Sequence, residues 1–386
     1  MAGHLIDMDH AATTALRPVA RAAMEPFLAP CDDPSAVYGN PSGSHVIARA
    51  AVRALDEARE QVADSLGCLP DEVVFTSGGT EADNHAITGG MPARRGIPVC
   101  SAVEHPAVLS VTRALGGSTV GVDQAGRIDL DALGERLVDL AGQVSVVSVM
   151  TANNELGTVN DIGAVATLVR EVAPGVPLHT DAVQAAPWLD LSLCAPDVDL
   201  VSVSAHKLGG PRGVGALVGR RGTVLAPLLH GGGQEHDRRG GSHDVAGIVG
   251  FAAALREVVA QRGATNDRVT ALRDRLRDRA TSLEGVVSTV DPGEVEVLPG
   301  HCHLLVEGVS GEELLLLLES HDVCASAASS CASGAIGSSH VVTAIGHDDP
   351  GHAPLRLTLG TDSTNRDVEA TVAALALSLD RIRDRP

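Results

Sequence analysis

VDLVSVSAHKLGGPRG, residues 198–213, is an apolar, β-branched run that ends abruptly in Ser204, His206 and Lys207 and then turns on glycines. Four other stretches share this form: DEVVFTSGG (71–79), IPVCSAVEH (97–105), VSVVSVMTANNE (144–155) and VPLHTDAVQ (176–184). Each reads as a buried strand followed by polar residues. Amphipathic segments such as IGAVATLVREV (162–172) lie between them. Buried apolar strands alternating with helices indicate an α/β domain with a largely parallel sheet. Ligands bind such sheets beyond the carboxyl ends of the strands. The polar residues Thr76 to Thr80, Glu104 with His105, Asn153 to Glu155, Asp181 to Gln184, and Ser204 to Lys207 sit at those ends. Five strand ends on one face predict a single site.

The pattern changes near residue 262. RVTALRDRLRDRATSLEG (268–285) reads as a charged amphipathic helix, HCHLLVEG (301–308) and LRLTLG (355–360) as short strands, and GEELLLLLES (311–320) and VEATVAALALSLDRIRD (368–384) as helices. The expected division is a large α/β domain over 15–261 and a smaller α+β domain made of 1–14 with 262–386.

Composition narrows the function. The 386 residues carry 29 Lys and Arg against 49 Asp and Glu, a net charge of −20. Such a surface repels nucleic-acid backbones and anionic lipid, so neither is expected as a direct partner. Only five residues are aromatic (Phe27, Phe75, Phe251, Tyr38 and Trp188), which argues against base-stacking platforms and leaves Ala, Val and Leu to build the core. Seven cysteines, an odd number with no CxxC, argue against a disulfide scaffold and for a reducing compartment. No signal peptide or membrane-length apolar run is evident, so a cytoplasmic location is expected.

Several residues are suited to chemistry. In SGGTEADN (77–84), Gly78, Gly79 and Thr80 could cup a phosphate at a helix start; taken alone, an ordinary turn with Thr80 capping the helix and Asp83 closing a capping box is the better reading. There is no GxxxxGK[ST] to assign that phosphate to a nucleotide. Lys207 closes an apolar strand, where desolvation turns a lysine into a Schiff-base nucleophile, although a snorkelling lysine is common at strand ends. Asp181 ends the preceding strand and favours the first reading, because a carboxylate beside such a lysine is what pyridoxal phosphate requires. His105 ends another strand, where it can stack on a flat ring or move a proton. The HCH triplet, residues 301–303, puts only its two histidines on one face and has no second cluster, so no metal is expected. CASAASSCASGAIGSSH (324–340) reads as a mobile loop that offers Cys331 as a nucleophile; Cys324 is expected to face the core and the other five cysteines to be structural.

Together MDHAATT (8–14), YGNPSGSH (38–45), VFTSGGTEADN (74–84), VEHPAV (103–108), NNELG (153–157), HTDAVQ (179–184), SAHKLGGPRGVGAL (204–217), HGGGQE (230–235) and LRLTLG resemble the cysteine desulfurases of the class V aminotransferase family, NifS- and IscS-like, over nearly the whole chain. The resemblance implies pyridoxal-phosphate fold type I with a mostly parallel seven-stranded sheet, and a homodimer. It implies that Lys207 binds the cofactor covalently and that Asp181 pairs with its ring nitrogen. His105 would stack on the ring and assist proton transfer, with Asn154 and Gln184 addressing substrate and phenolic oxygen. Gly79, Thr80, Ser204 and His206 would hold the phosphate, helped by Ser242 from the other subunit. Arg356 would clamp the substrate carboxylate. Cys331, in a catalytic loop over about 324–340, would take sulfur from L-cysteine as a persulfide, release L-alanine and pass the sulfur to an acceptor protein, for iron–sulfur assembly or for tRNA, DNA or metabolite thiolation.

Three departures bear on this. RGGSHD (239–244) replaces the family's RSGTxN: Ser242 for Thr keeps the hydroxyl at the intersubunit phosphate contact, while Asp244 stands where an amide is usual and its carboxylate is expected to weaken that grip. SAASSC (326–331) replaces SSGSAC, where Ala328 is expected to stiffen the loop. The close at LSLDRIRDRP (377–386) leaves room for an acceptor other than an iron–sulfur scaffold. The rivals are selenocysteine lyase, a C–S lyase or small aminotransferase, and a non-catalytic protein that binds a sulfur carrier.

Overall fold

The computed structural model describes residues 5–91, 95–194, 197–327, 339–347, 349 and 351–384. Its strands are β1 (Ile6–Asp7), β2 (Val73–Thr76), β3 (Ile97–Ser101), β4 (Ser118–Val120), β5 (Val144–Ser148), β6 (Leu178–Asp181), β7 (Leu200–Ser204), β8 (Gly215–Gly219), β9 (Val286–Ser288), β10 (His301–Glu307), β11 (Val323–Cys324) and β12 (His352–Thr358). Its helices are α1 (Pro18–Leu28), α2 (Val46–Leu66), α3 (Gly79–Gly89), α4 (Pro106–Ala114), α5 (Leu130–Asp139), α6 (Ile162–Val172), α7 (Leu191–Cys194), α8 (Val245–Ala280), α9 (Gly311–Ser320), α10 (His340–Ala344) and α11 (Asn365–Arg383).

Seven strands form one sheet in the order β2-β8-β7-β6-β5-β3-β4. The pairs β7–β6, β6–β5, β5–β3 and β3–β4 are parallel, and only β8 runs against its neighbours. Every residue of β5 and β7 is buried, as expected of strands covered on both faces. The five strand ends singled out in the sequence therefore share one edge. The order also places β6 beside β7, with Asp181 registered against Ser202.

A second sheet, β12-β10-β9, is antiparallel, and β1 pairs in parallel with β11, Ile6 against Val323. The N-terminal strand thus joins the C-terminal part of the chain. Between the two sheets runs α8, 36 residues long and continuous through position 262. The compositional change there is a change of surroundings and not a linker. Its first half buries Phe251, Ala252, Ala253, Ala254 and Leu255, whereas QRGATNDR (261–268) faces water for most of its length. One continuous core joins both sheets; it is built mainly of Val, Leu and Ala, with Phe75, Phe251 and Trp188 set into it.

Candidate active site

The glycine turn after β2 differs from an ordinary capped helix start. The N-cap of α3 is Gly78, at φ 145°, without a side-chain cap. Thr80 lies inside the first turn and Asp83 is buried within the fold, so the capping box does not form. The turn opens instead on a cleft of about 420 Å³ lined by Thr13, Gly79, Thr80, Ser204, His206 and Arg212. A Cβ on Gly79 would lie 2.9 Å from Val183 Cγ2 and 3.5 Å from Ser204 Cβ, so only glycine leaves the backbone this close to the cleft floor. Ser204 Oγ is buried without a partner among the described residues. Backbone N–H groups at the start of α3, a spare hydroxyl and the Arg212 cation together suit a phosphate.

Lys207 ends the 3₁₀ turn Ala205–Lys207 that follows β7. Its Nζ donates to the Ala11 carbonyl and, at 2.8 Å, to the Ala12 carbonyl. Gln184 Nε2 donates to the same Ala11 carbonyl at 2.9 Å, so MDHAATT forms one wall of the site. Thr14 ties that wall down by donating to the His206 carbonyl at 2.7 Å. Beyond Lys207 a second cavity of about 230 Å³ is lined by Gln184, Trp188, His301, Thr358 and Asp362 among others.

Asp181 lies at the end of β6 and accepts the Val183 N–H at 2.8 Å. Burial pushes its carboxyl up to about 6, against the Val183 N–H and the Lys207 charge, which pull it down. A buried carboxylate in this state is stabilised by any cation brought against it, which is what a pyridinium nitrogen offers. His105 caps α4 through Nδ1, 3.1 Å from the Ala107 N–H. Burial, then the nearby charges of Lys207 and His340, bring its pKa down to about 4 and leave it neutral near pH 7. The buried unpartnered serine, the glycine cradle and the Asp181–Lys207 floor fit pyridoxal phosphate, with Lys207, Asp181, Gly79, Thr80, Ser204 and His206 as the residues that would hold it.

Arg356 comes from β12 and is buried. Nη1 donates to the Asn154 carbonyl at 3.0 Å and Nη2 to Asp9 Oδ1 at 2.7 Å, while Nε and Asn154 Oδ1 have no partner among the described residues. The fork is held from two sides with polar capacity left over, as a carboxylate clamp needs.

Several contributors escaped the sequence reading. Asp9 and Arg212 stood in quoted motifs without an assigned role. Behind Asp181 lies a buried polar layer in which His179 approaches Ser148 Oγ at 2.8 Å and Ser202 Oγ at 2.9 Å. Asp83 joins it, its carboxyl pushed well up by burial and by the Asp181 charge. The signal was the alternation of polar residues within otherwise apolar strands. Glu155 accepts from the Ser339 hydroxyl, and His340 donates to the Glu104 carbonyl at 3.0 Å, next to His105.

Other expectations change. Asp244 Oδ1 accepts the Gly247 N–H at 3.0 Å as the N-cap of α8, where its charge complements the helix start. Ser242 is exposed and lies outside both cavities of its own chain. Cys31 is exposed and Cys324 half-buried, whereas Cys100 and Cys302 are in the interior. His301 and His303 do share one buried face of β10, with His303 Nδ1 2.7 Å from Thr289 Oγ1. Cys331 and Ala328 lie outside the described residues. Among those described, no helix is long and apolar enough to cross a membrane.

The profile of the family described as aminotransferase class-V matches residues 6–371. The chain is 39% identical to the IscS-like cysteine desulfurase of Mycobacterium tuberculosis, covering 97% of this chain and 96% of that protein. Among solved structures, a NifS-like protein superimposes with a TM-score of 0.88 at 29% identity, over 98% of this chain and all of the other. A structure described as SspA in complex with cysteine matches with a TM-score of 0.75 at 28% identity, over 93% of this chain and 100% of that one.

Proposed function

The chain belongs to the class-V aminotransferase family, and from that premise we propose that it is a cysteine desulfurase that uses pyridoxal phosphate to take sulfur from L-cysteine. The observation that carries the reading is the floor formed by Asp181 at the end of β6 and Lys207 in the turn after the adjacent β7, with the glycine-lined cleft and the buried Ser204 hydroxyl beside it. L-cysteine as substrate follows from the cysteine desulfurase relative and from the cysteine complex of the SspA structure.

When bound, pyridoxal phosphate supplies an electron sink for charge that develops at the substrate Cα. Asp181 would keep the ring nitrogen protonated, and Lys207 would hold the cofactor and carry protons at Nζ. His105, neutral at working pH, would lie against the ring and exchange a proton with the reacting centre. Arg356, steadied by Asp9 and the Asn154 carbonyl, binds the substrate carboxylate and so fixes the orientation of the substrate. The Cys331 thiolate then attacks the substrate sulfur. A sulfur–sulfur bond forms on Cys331, the Cβ–S bond breaks with its electron pair left on the carbon fragment, and protonation of that fragment gives L-alanine. Gln184, which shares the Ala11 carbonyl with Lys207, would address the phenolic oxygen.

The protein acts as a cytoplasmic homodimer, with Ser242 reaching the partner's phosphate, and the persulfide passes to an acceptor protein. The division into 15–261 and 1–14 with 262–386 belongs to the same reading, the first part holding the cofactor and the second carrying Cys331. The test is to supply L-cysteine and a thiol reductant and to measure alanine, pyruvate and sulfide for the wild type and Cys331→Ala. Equal alanine and sulfide, lost in the variant, support the reading. Pyruvate, or full activity in the variant, points to a lyase.

A further inference from the structure

The segment from HGGGQE to RGGSHD contains an anomaly that the reaction does not use. Glu235, His236 and Asp237 are three consecutive non-glycine residues with left-handed backbones, at φ 52°, 57° and 63°. Side chains with a Cβ adopt this region singly and at a cost, so a run of three persists only where the surroundings over-determine it. Here they do. The Glu235 carboxylate is buried and takes four donors: Arg59 Nη1 at 2.9 Å and Nη2 at 2.6 Å, the Phe75 N–H at 2.8 Å, and His243 Nε2 at 2.7 Å. Arg59 also donates to the Val73 carbonyl at 2.7 Å and lies over the Phe75 ring at 4.7 Å. Burial alone would push the Glu235 carboxyl up; the hydrogen bonds from His243 and Arg59, with the Arg59 charge, bring it down to about 2.

What this cluster joins gives it a purpose. Val73 and Phe75 belong to β2, the strand that runs into the phosphate turn. His243 is the neighbour of Ser242. A second pair repeats the link, with Arg239 Nε donating to Glu81 Oε1 at 2.9 Å while Glu81 Oε2 accepts the Ser77 N–H at 2.7 Å. Ser77 and Glu81 both border the phosphate cleft.

We infer that Glu235 is a positioning residue: pinned by Arg59, the Phe75 N–H and His243, it locks the loop bearing Ser242 to the strand that ends in the phosphate turn. One buried cluster then fixes, relative to that strand, the hydroxyl each subunit lends to the other. The inference rests on the reading of the protein as a dimeric pyridoxal-phosphate enzyme. It also gives His243 a role at a position that stood out only as part of a departure from the family's motif.

The test is a cycle of Glu235→Gln, Ser242→Ala and the double variant, each stripped of cofactor and titrated with pyridoxal phosphate and with pyridoxal, which lacks the phosphate. Each single variant is expected to lower the preference for pyridoxal phosphate by about tenfold, the loss of one hydrogen bond to a charged group. The double variant is expected to fall no further than Ser242→Ala, because Glu235 acts through Ser242. A purely structural role would weaken both ligands equally. That result, or an undiminished effect of Glu235→Gln in the Ser242→Ala background, overturns the inference. If Ser242→Ala alone leaves the preference unchanged, the dimeric placement of Ser242 fails first and the inference falls with it. If Glu235→Gln does not fold, His243→Ala removes one strut only and carries the same comparison.

Discussion

Replacing Asp181 by Asn should move stability and activity in opposite directions. The Asp181 carboxyl is held at about 6 against an ordinary value of 3.8, chiefly by burial. A difference of roughly two units corresponds to about 3 kcal/mol. Between these values the unfolded chain has released the proton that the folded chain still holds. The folded state therefore binds more protons, and its stability falls as pH rises from 3.8 to 6. Below that window the cost is absent; above it the whole amount is present. Asn fills the same space, can still accept the Val183 N–H, and carries no charge. Cofactor-free Asp181→Asn should then be more stable than the cofactor-free wild type by up to about 3 kcal/mol at pH 8, and by about half of that at pH 5. Denaturant unfolding of both proteins at the two pH values measures the gap. With cofactor the order reverses: an uncompensated buried charge costs about 3–5 kcal/mol, so turnover should fall at least about a hundredfold. A gap that does not grow with pH, or a cofactor-free variant less stable than wild type, would refute this reasoning.

Arg356→Lys loses the planar fork, and one charged hydrogen bond of about 1.5–3 kcal/mol should lower kcat/KM by roughly 10- to 100-fold, mostly through KM for L-cysteine. Steady-state kinetics separate the two constants. Gly79→Ala places a methyl 2.9 Å from Val183 Cγ2 and should weaken pyridoxal-phosphate binding while leaving the fold intact, as fluorescence titration would show. Glu235, held at about 2 against 4.5, contributes stability that is fully present above pH 4.5 and is lost as pH falls through 2. The stability advantage of the wild type over Glu235→Gln should therefore shrink progressively as pH falls from 4.5 toward 2, measured by denaturant midpoint.

The parts of the fold legible in the sequence are those whose signal is local. Each of β2, β3, β5, β6 and β7 is a short, largely buried run with polar residues at its end, so the shared edge could be read from spacing alone, and the structure sets β6, which ends in Asp181, beside β7, which leads to Lys207. The continuity of α8 could not, because a helix that passes from a buried to a solvated environment changes composition without changing conformation. Long-range charge pairs were also silent. Arg59 and Glu235 stand 176 residues apart, and neither looks unusual in its own neighbourhood. Asp244 was legible as a departure but not as a helix cap, since that role depends on α8 starting at the very next residue. Arg356 carried no local signal of its own; its place depends on β12 lying against β10 and on Asp9 arriving from the other end of the chain.

The central claim is that Cys331 receives the sulfur. The most direct measurement is a single turnover with one equivalent of L-cysteine and no reductant, followed by mass spectrometry of the peptide containing Cys331 and assay of the released amino acid. The account predicts that this peptide gains the mass of one sulfur atom and that L-alanine appears in equal amount. Sulfur on another cysteine, or pyruvate with an unmodified Cys331, would contradict it.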